Sequence, residues 1–99
     1  MATKNVVPRA DGEGGIGTAA KGWGNLFITN TTADSPTQGA KIVLAGNDGA
    51  AMQSGSRLGV IEFKGQEGSA LTIGGRIECT TDAVWSGSEN GASLEFYTT

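Results

Sequence analysis

Ten carboxylates, one thiol and no imidazole set the chemistry open to this chain. Without histidine, neither a Ser-His nor a Cys-His nucleophile pair can be assembled. The common zinc sites are closed for the same reason, since a single cysteine cannot supply their ligands. Two well-spaced carboxylates suffice for glycoside hydrolysis. Glu62 and Glu95, however, occupy matching places in two similar blocks, which reads as periodic surface charge rather than an acid pair. Asn47, Asp48 and Glu67 carry oxygen ligands suited to calcium, yet the EF-type loop pattern is absent, and turn formation accounts for Asn47-Asp48. Gly-x-Gly spacings between Gly12 and Gly17 have neither a strand before them nor a helix after them, so a phosphate cradle does not follow. Cys79 stands alone and reads as a small buried hydrophobe; a lone thiol also fits assembly inside a cell. Trp23 and Trp85 are aromatic platforms of the kind that stack on sugar rings, or else caps on a β core; packing is the preferred reading. The chain is therefore read as non-catalytic, with no metal and no cofactor.

Composition narrows the class further. A net charge of −3 with scattered Lys and Arg leaves no footprint for nucleic acid. No apolar run approaches the roughly 18 residues of a membrane span, and no charged segment followed by an apolar stretch opens the chain in secretory fashion. The 17 glycines do not fall on every third position, which excludes collagen. Only 24 of the 99 side chains are large and apolar. Such a chain has little to bury against the entropy of ordering its backbone, and glycine raises that entropy. With no disulfide or metal to help, the remaining source of stability is another chain. The expectation is an obligate oligomer.

The elements that must position these residues are β throughout. Residues 1–22 read as an irregular arm in which Val6-Val7-Pro8 is a short extended apolar piece. Residues 23–99 read as a repetitive β module. Trp23 to Thr29 is aromatic and β-branched and predicts the first strand. Lys41 to Ala45 is a short apolar run before Gly46-Asn47-Asp48-Gly49, a hairpin signal. Arg57 to Lys64 predicts a strand with Ile61 and Phe63 opposite Glu62. Gly65 to Gly68 predicts a turn, and Leu71, Ile73 and Ile77 alternate with polar or small residues. Ala83-Val84-Trp85 reads as a short strand, and Leu94 and Phe96 alternate in a last one. No segment carries helical periodicity.

The second half also repeats. Gly39-Ala40-Lys41-Ile42 matches Gly74-Gly75-Arg76-Ile77, and Val60-Ile61-Glu62-Phe63 matches Ser93-Leu94-Glu95-Phe96, at a period of roughly 34 residues. The two copies cover 39–65 and 74–98. Two β copies are too few for a solenoid or propeller, whereas stacked units that gain a core from neighbouring chains fit.

The stretch Gly15-Ile16-Gly17-Thr18 and Lys21-Gly22-Trp23-Gly24-Asn25-Leu26-Phe27, together with the ending Ala92-Ser93-Leu94-Glu95-Phe96-Tyr97-Thr98-Thr99, resembles motifs of bacteriophage tail-fibre and tailspike proteins. The likeness covers roughly residues 15 to 99, through short motifs of low complexity. It implies an elongated, intertwined or stacked β homotrimer in the virion tail, assembled in the host cytoplasm. It further implies an N-terminal arm that docks on an adaptor, nozzle or baseplate protein, and no membrane insertion. Starting at Met1 and stopping after a repeat strand, the chain is expected to be the virion-proximal part of a longer fibre, with host receptor or glycan recognition in a distal part. In that reading Val6, Val7, Pro8 and Arg9 anchor the arm, the alternative being a disordered N-terminus. Trp23, Leu26 and Phe27 mark the junction of arm and module. Ile42, Leu44, Ile61, Phe63, Ile73, Ile77, Leu94 and Phe96 form the shared trimer core, the alternative being a core within one chain. Competing functions are a head fibre or capsid decoration protein, and a β carbohydrate-binding module using Trp23 or Trp85.

Overall fold

A computed structural model describes residues 3–99; of the arm expected over residues 1–22, residues 1 and 2 lie outside the described part. The chain divides into two units, Met1–Lys41 and Ile42–Thr99.

The described residues of the first unit form turns and extended segments, with no strand and no helix. Its order is local. Arg9 and Glu13 pair at 2.8 Å, one turn apart. Thr18 and Lys21 exchange two hydrogen bonds, backbone to backbone and backbone to hydroxyl, each 3.0 Å. The Asn30 side chain ties its loop together, donating to Gln38 and to the Gly39 carbonyl and accepting from the Thr32 amide. The strand expected over Trp23 to Thr29 is not formed. A strand needs a hydrogen-bonded neighbour as well as β-branched residues, and within the unit no other segment pairs with this one. Leu26 and Phe27 are left 79% and 88% exposed.

The second unit is all-β. Three strands, β1 (Arg57–Gln66), β2 (Leu71–Thr81) and β3 (Ala92–Thr98), form one open antiparallel sheet in the order β1-β2-β3. β1 continues through Gly65 and Gln66, so the turn falls slightly later than the sequence predicts. It is closed by the Glu67 amide donating to the Ala70 carbonyl and by the Glu67 carboxylate accepting from Ser69. β2 likewise runs past Glu78 to Thr81.

Two irregularities shape the sheet. One falls between Arg57 and Gly59, the other between Phe63 and Lys64. At the second, Phe63 pairs with Gly75 but Lys64 pairs with Ile73, so Gly74 is an extra residue in β2. Each strand alternates sides, and an extra residue reverses that alternation for everything beyond it. Ile73 therefore shares the side of Lys64, while Ile77 shares the side of Ile61. The simple alternation of Leu71, Ile73 and Ile77 expected from the sequence is broken by this bulge.

The run from Ala40 to Ala45 is extended but joins no ladder. Instead Leu44 lies over Gly59: a Cβ built on Gly59 would stand 2.7 Å from the Leu44 Cβ. Glycine in mid-strand here marks the close approach of another segment. Gly46 to Gly49 does turn. The Asn47 and Asp48 carboxamide and carboxylate oxygens accept the amides of Gly49 and Ala50, and Gly49 adopts a φ of 87°. It is not a hairpin, because the chain leaves it toward the end of β2 rather than back along a partner strand.

That destination is Thr81, which at 3% exposure is the one buried residue among those described. Its hydroxyl donates to the Gln53 carbonyl and accepts from the Ser56 amide at 2.9 Å. Its backbone amide donates to Ser56 at 2.8 Å, and its carbonyl accepts from Gly55 at 2.9 Å. Ala83-Val84-Trp85 is not a strand. Trp85 is held by its amide on the Met52 carbonyl and by its indole N–H on the Gly91 carbonyl.

Among the described residues no hydrophobic side chain is buried. Thr81→Val tests the polar anchor. It leaves the Ser56 amide and Gln53 carbonyl without their side-chain partner, a loss of about 1–3 kcal/mol. Amide exchange at Gly55 and Ser56 is expected to accelerate while the β2–β3 ladder keeps its protection; unchanged exchange would show that Thr81 does not hold this turn.

Candidate functional site

Cross-strand pairing gives the sheet two unlike faces. On one, Ile61, Ile77 and Phe96 lie in a row, flanked by the rows Gly59, Cys79, Leu94 and Phe63, Gly75, Thr98. This face carries no charged side chain. Its large residues stand open: Ile61 is 47%, Phe63 57%, Leu94 63% and Phe96 71% exposed. Leu44 crosses the Gly59 end, and beside it runs a groove of about 200 Å³ whose lining includes Leu44, Ile61, Ile77, Cys79 and Leu94, with Glu78 of the charged side also on its wall. The Cys79 thiol is free and half-buried.

The other face carries the charge. Glu62, Arg76 and Tyr97 form one row and Val60, Glu78 and Glu95 the next. Two glutamates directly opposite each other repel, but each has its own donors. Glu78 accepts from Arg57 at 3.2 Å and from Arg76 at 3.3 Å. Glu95 accepts from the Tyr97 hydroxyl. Arg76 also lies over the Tyr97 ring, 4.1 Å from its centre, a favourable cation–π geometry. Lys64 and Glu62 pair at 3.6 Å along the same side. Donation to Glu95 holds the Tyr97 hydroxyl above the usual phenol range, with desolvation and the Glu95 and Glu78 charges adding to it. A raised phenol pKa favours the sheet at every pH below the ordinary phenol value and loses that contribution as pH climbs through the raised one.

The residues singled out in the sequence scatter across this arrangement. Ile61, Phe63, Ile77, Leu94 and Phe96 come together on the apolar face. Leu44 joins them through Gly59. Ile42 is exposed and outside the sheet, and Ile73 is turned to the charged side by the bulge. In the first unit, the Arg9–Glu13 pair closes a loop that brings Val6, Val7 and Pro8 beside Gly14, Gly15 and Ile16 around a pocket of about 390 Å³. Trp23 is 77% exposed. Trp85 is half-buried, its indole N–H already committed to Gly91. Cys79, expected as a small buried hydrophobe, is only half-buried, because the groove beside it is open. Two residues of the second unit escaped sequence reasoning. Gly59 carried a signal, as a glycine interrupting a strand. Thr81 had no signal at all.

Among the described residues no three His, Cys, Asp or Glu side chains gather as a metal site. No known protein family matches the chain, and no curated protein does.

The turn between β1 and β2 offers a titration test. Hydrogen bonds from the Ser69 hydroxyl and amide hold the Glu67 carboxyl below its ordinary range. A lowered carboxyl pKa favours the folded turn above the unfolded value and loses that contribution as pH falls through the lowered one. The Ser69 amide resonance is expected to follow Glu67 with a midpoint on the acid side of an ordinary glutamate; a midpoint at the ordinary value would mean the contact is not formed in solution.

Proposed function

We propose that this chain is a structural virion protein, the attachment and shaft part of a phage tail fibre or tailspike, working as a homotrimer. The observation that carries the reading is the sheet itself: it has an uncharged apolar face and buries no hydrophobic side chain among the described residues. A domain is built of at least two packed layers, and the second unit supplies one. The motif resemblance around Trp23 to Phe27 and Ser93 to Thr99 selects the fibre among oligomeric β proteins. Repeated glycine-rich strands give length with little volume, which is what a fibre requires.

In this reading the mechanism is mechanical and adhesive. Val6, Val7, Pro8 and Arg9, in the loop closed by Glu13, anchor the protein to an adaptor, nozzle or baseplate protein of the tail. The sheet units of three copies join around a shared core and hold the host-recognition apparatus outward. The open Trp23 favours a second reading, a β carbohydrate-binding module, since an exposed indole is a platform for a sugar ring.

Sedimentation with circular dichroism on residues 1–99 tests both. A β-rich species near three times the 10.0 kDa chain mass is expected, with tryptophan fluorescence unmoved by glycan titration. A β-rich monomer whose fluorescence shifts with glycan would overturn the fibre reading in favour of the binding module.

A further inference from the structure

The charge on this sheet is segregated completely. Arg57, Glu62, Lys64, Arg76, Glu78 and Glu95 all belong to one side by register. The other side offers a partner no charge to match, and its side-chain hydrogen-bonding groups are the Cys79 thiol and the hydroxyls of Thr72, Thr81 and Thr98, that of Thr81 being already bonded to Gln53 and Ser56. A polar ligand or a charged protein surface would leave its own groups unpaired there. What covers this face is itself apolar and uncharged, and the same face of another copy meets that description without bringing like charges together.

Area points the same way. Leu44, Ile61, Phe63, Leu94 and Phe96 together present on the order of 600 Å², at about 200 Å² for a fully exposed large side chain, against the roughly 800 Å² each partner gives to a standard interface. A single patch of that size is at the top of what monomers carry. The relief is also self-complementary. The outer strands stand high at Phe63, Leu94 and Phe96, while the middle strand is low at Gly75, beside Phe63. The corresponding hollow at Gly59 is already filled, by Leu44.

We propose that the apolar face of the β1-β2-β3 sheet packs against the same face of a further copy of this chain, with Phe96 of one copy seated over Gly75 of the next. This deepens the oligomeric reading above and rests on it, but not on the number of copies or on the virion. Ile73 and Ile42 are outside the contact, and Gly75 and Cys79 are inside it.

Cys79 is the single thiol and sits on this face, so it reports directly. The experiment uses the full 99-residue chain and measures the rate of Cys79 alkylation by a bulky maleimide, native and in urea, alongside the sedimentation mass. A multimer in which Cys79 reacts about ten-fold or more slowly than in urea is expected. Phe96→Asp is expected to bring the mass to one chain and release the protection, while Glu95→Lys, on the charged side, leaves both as they are. A multimer whose Cys79 reacts as fast as the unfolded chain would overturn the inference and leave the oligomeric reading standing. So would Phe96→Asp with an unchanged mass. A protected dimer supports the inference and overturns the trimer. A monomer overturns both. Should Phe96→Asp fail to fold, the wild-type alkylation rate alone decides.

Discussion

A sheet with one apolar face and no second layer among the residues of its own unit is the constraint on which the second unit turns. Water is a poor neighbour for Ile61, Phe63, Leu94 and Phe96, and within the second unit Leu44 covers the Gly59 end of their side. The usual remedy in a small domain is a helix or second sheet from the same chain. Here the remaining residues of the second unit are spent on turns and on the polar knot around Thr81, which shield backbone groups rather than apolar area. The two ladders of the sheet are formed, with β1 and β3 as open edges, while its hydrophobic burial is not complete.

The two faces divide the work. The charged side is internally matched: Arg57 and Arg76 converge on Glu78, and Tyr97 serves both Arg76 and Glu95. The Glu78 carboxylate is half-buried between its two arginines, and these pairings leave that side without an unmatched glutamate at its centre. The uncharged side has no such self-sufficiency. The bulge at Gly74 limits the division to the part of the sheet before it, because it moves Ile73 to the side of Lys64 and Glu62 and brings Thr72 to the side of Phe63. The internal repeat is expressed in the same geometry. Val60-Ile61-Glu62-Phe63 and Ser93-Leu94-Glu95-Phe96 become the two outer strands, parallel to each other, each giving one side an aliphatic-aromatic pair and the other a glutamate.

By itself the sequence determined the all-β class, the three strands of the second unit to within a few residues, and the apolar set Ile61, Phe63, Ile77, Leu94 and Phe96. These are local quantities: side-chain period, β-branched content and turn chemistry act over a few residues and can be read off in order. It also determined the shortage of burial, since that is a count. Tertiary structure alone decided the rest. Trp23 to Thr29, Lys41 to Ala45 and Ala83 to Trp85 have strand-like residues but no strand, because a ladder exists only where a second segment arrives to share its hydrogen bonds. Ile73 and Ile77, four residues apart in one strand, part company because the pairing of Lys64 with Ile73 inserts Gly74. Thr81 became the one buried residue because the chain from Gln53 to Ser56 returns to it across a gap that no local pattern encodes. Register and long-range return are properties of two segments at once, and that is why neither could be read from one.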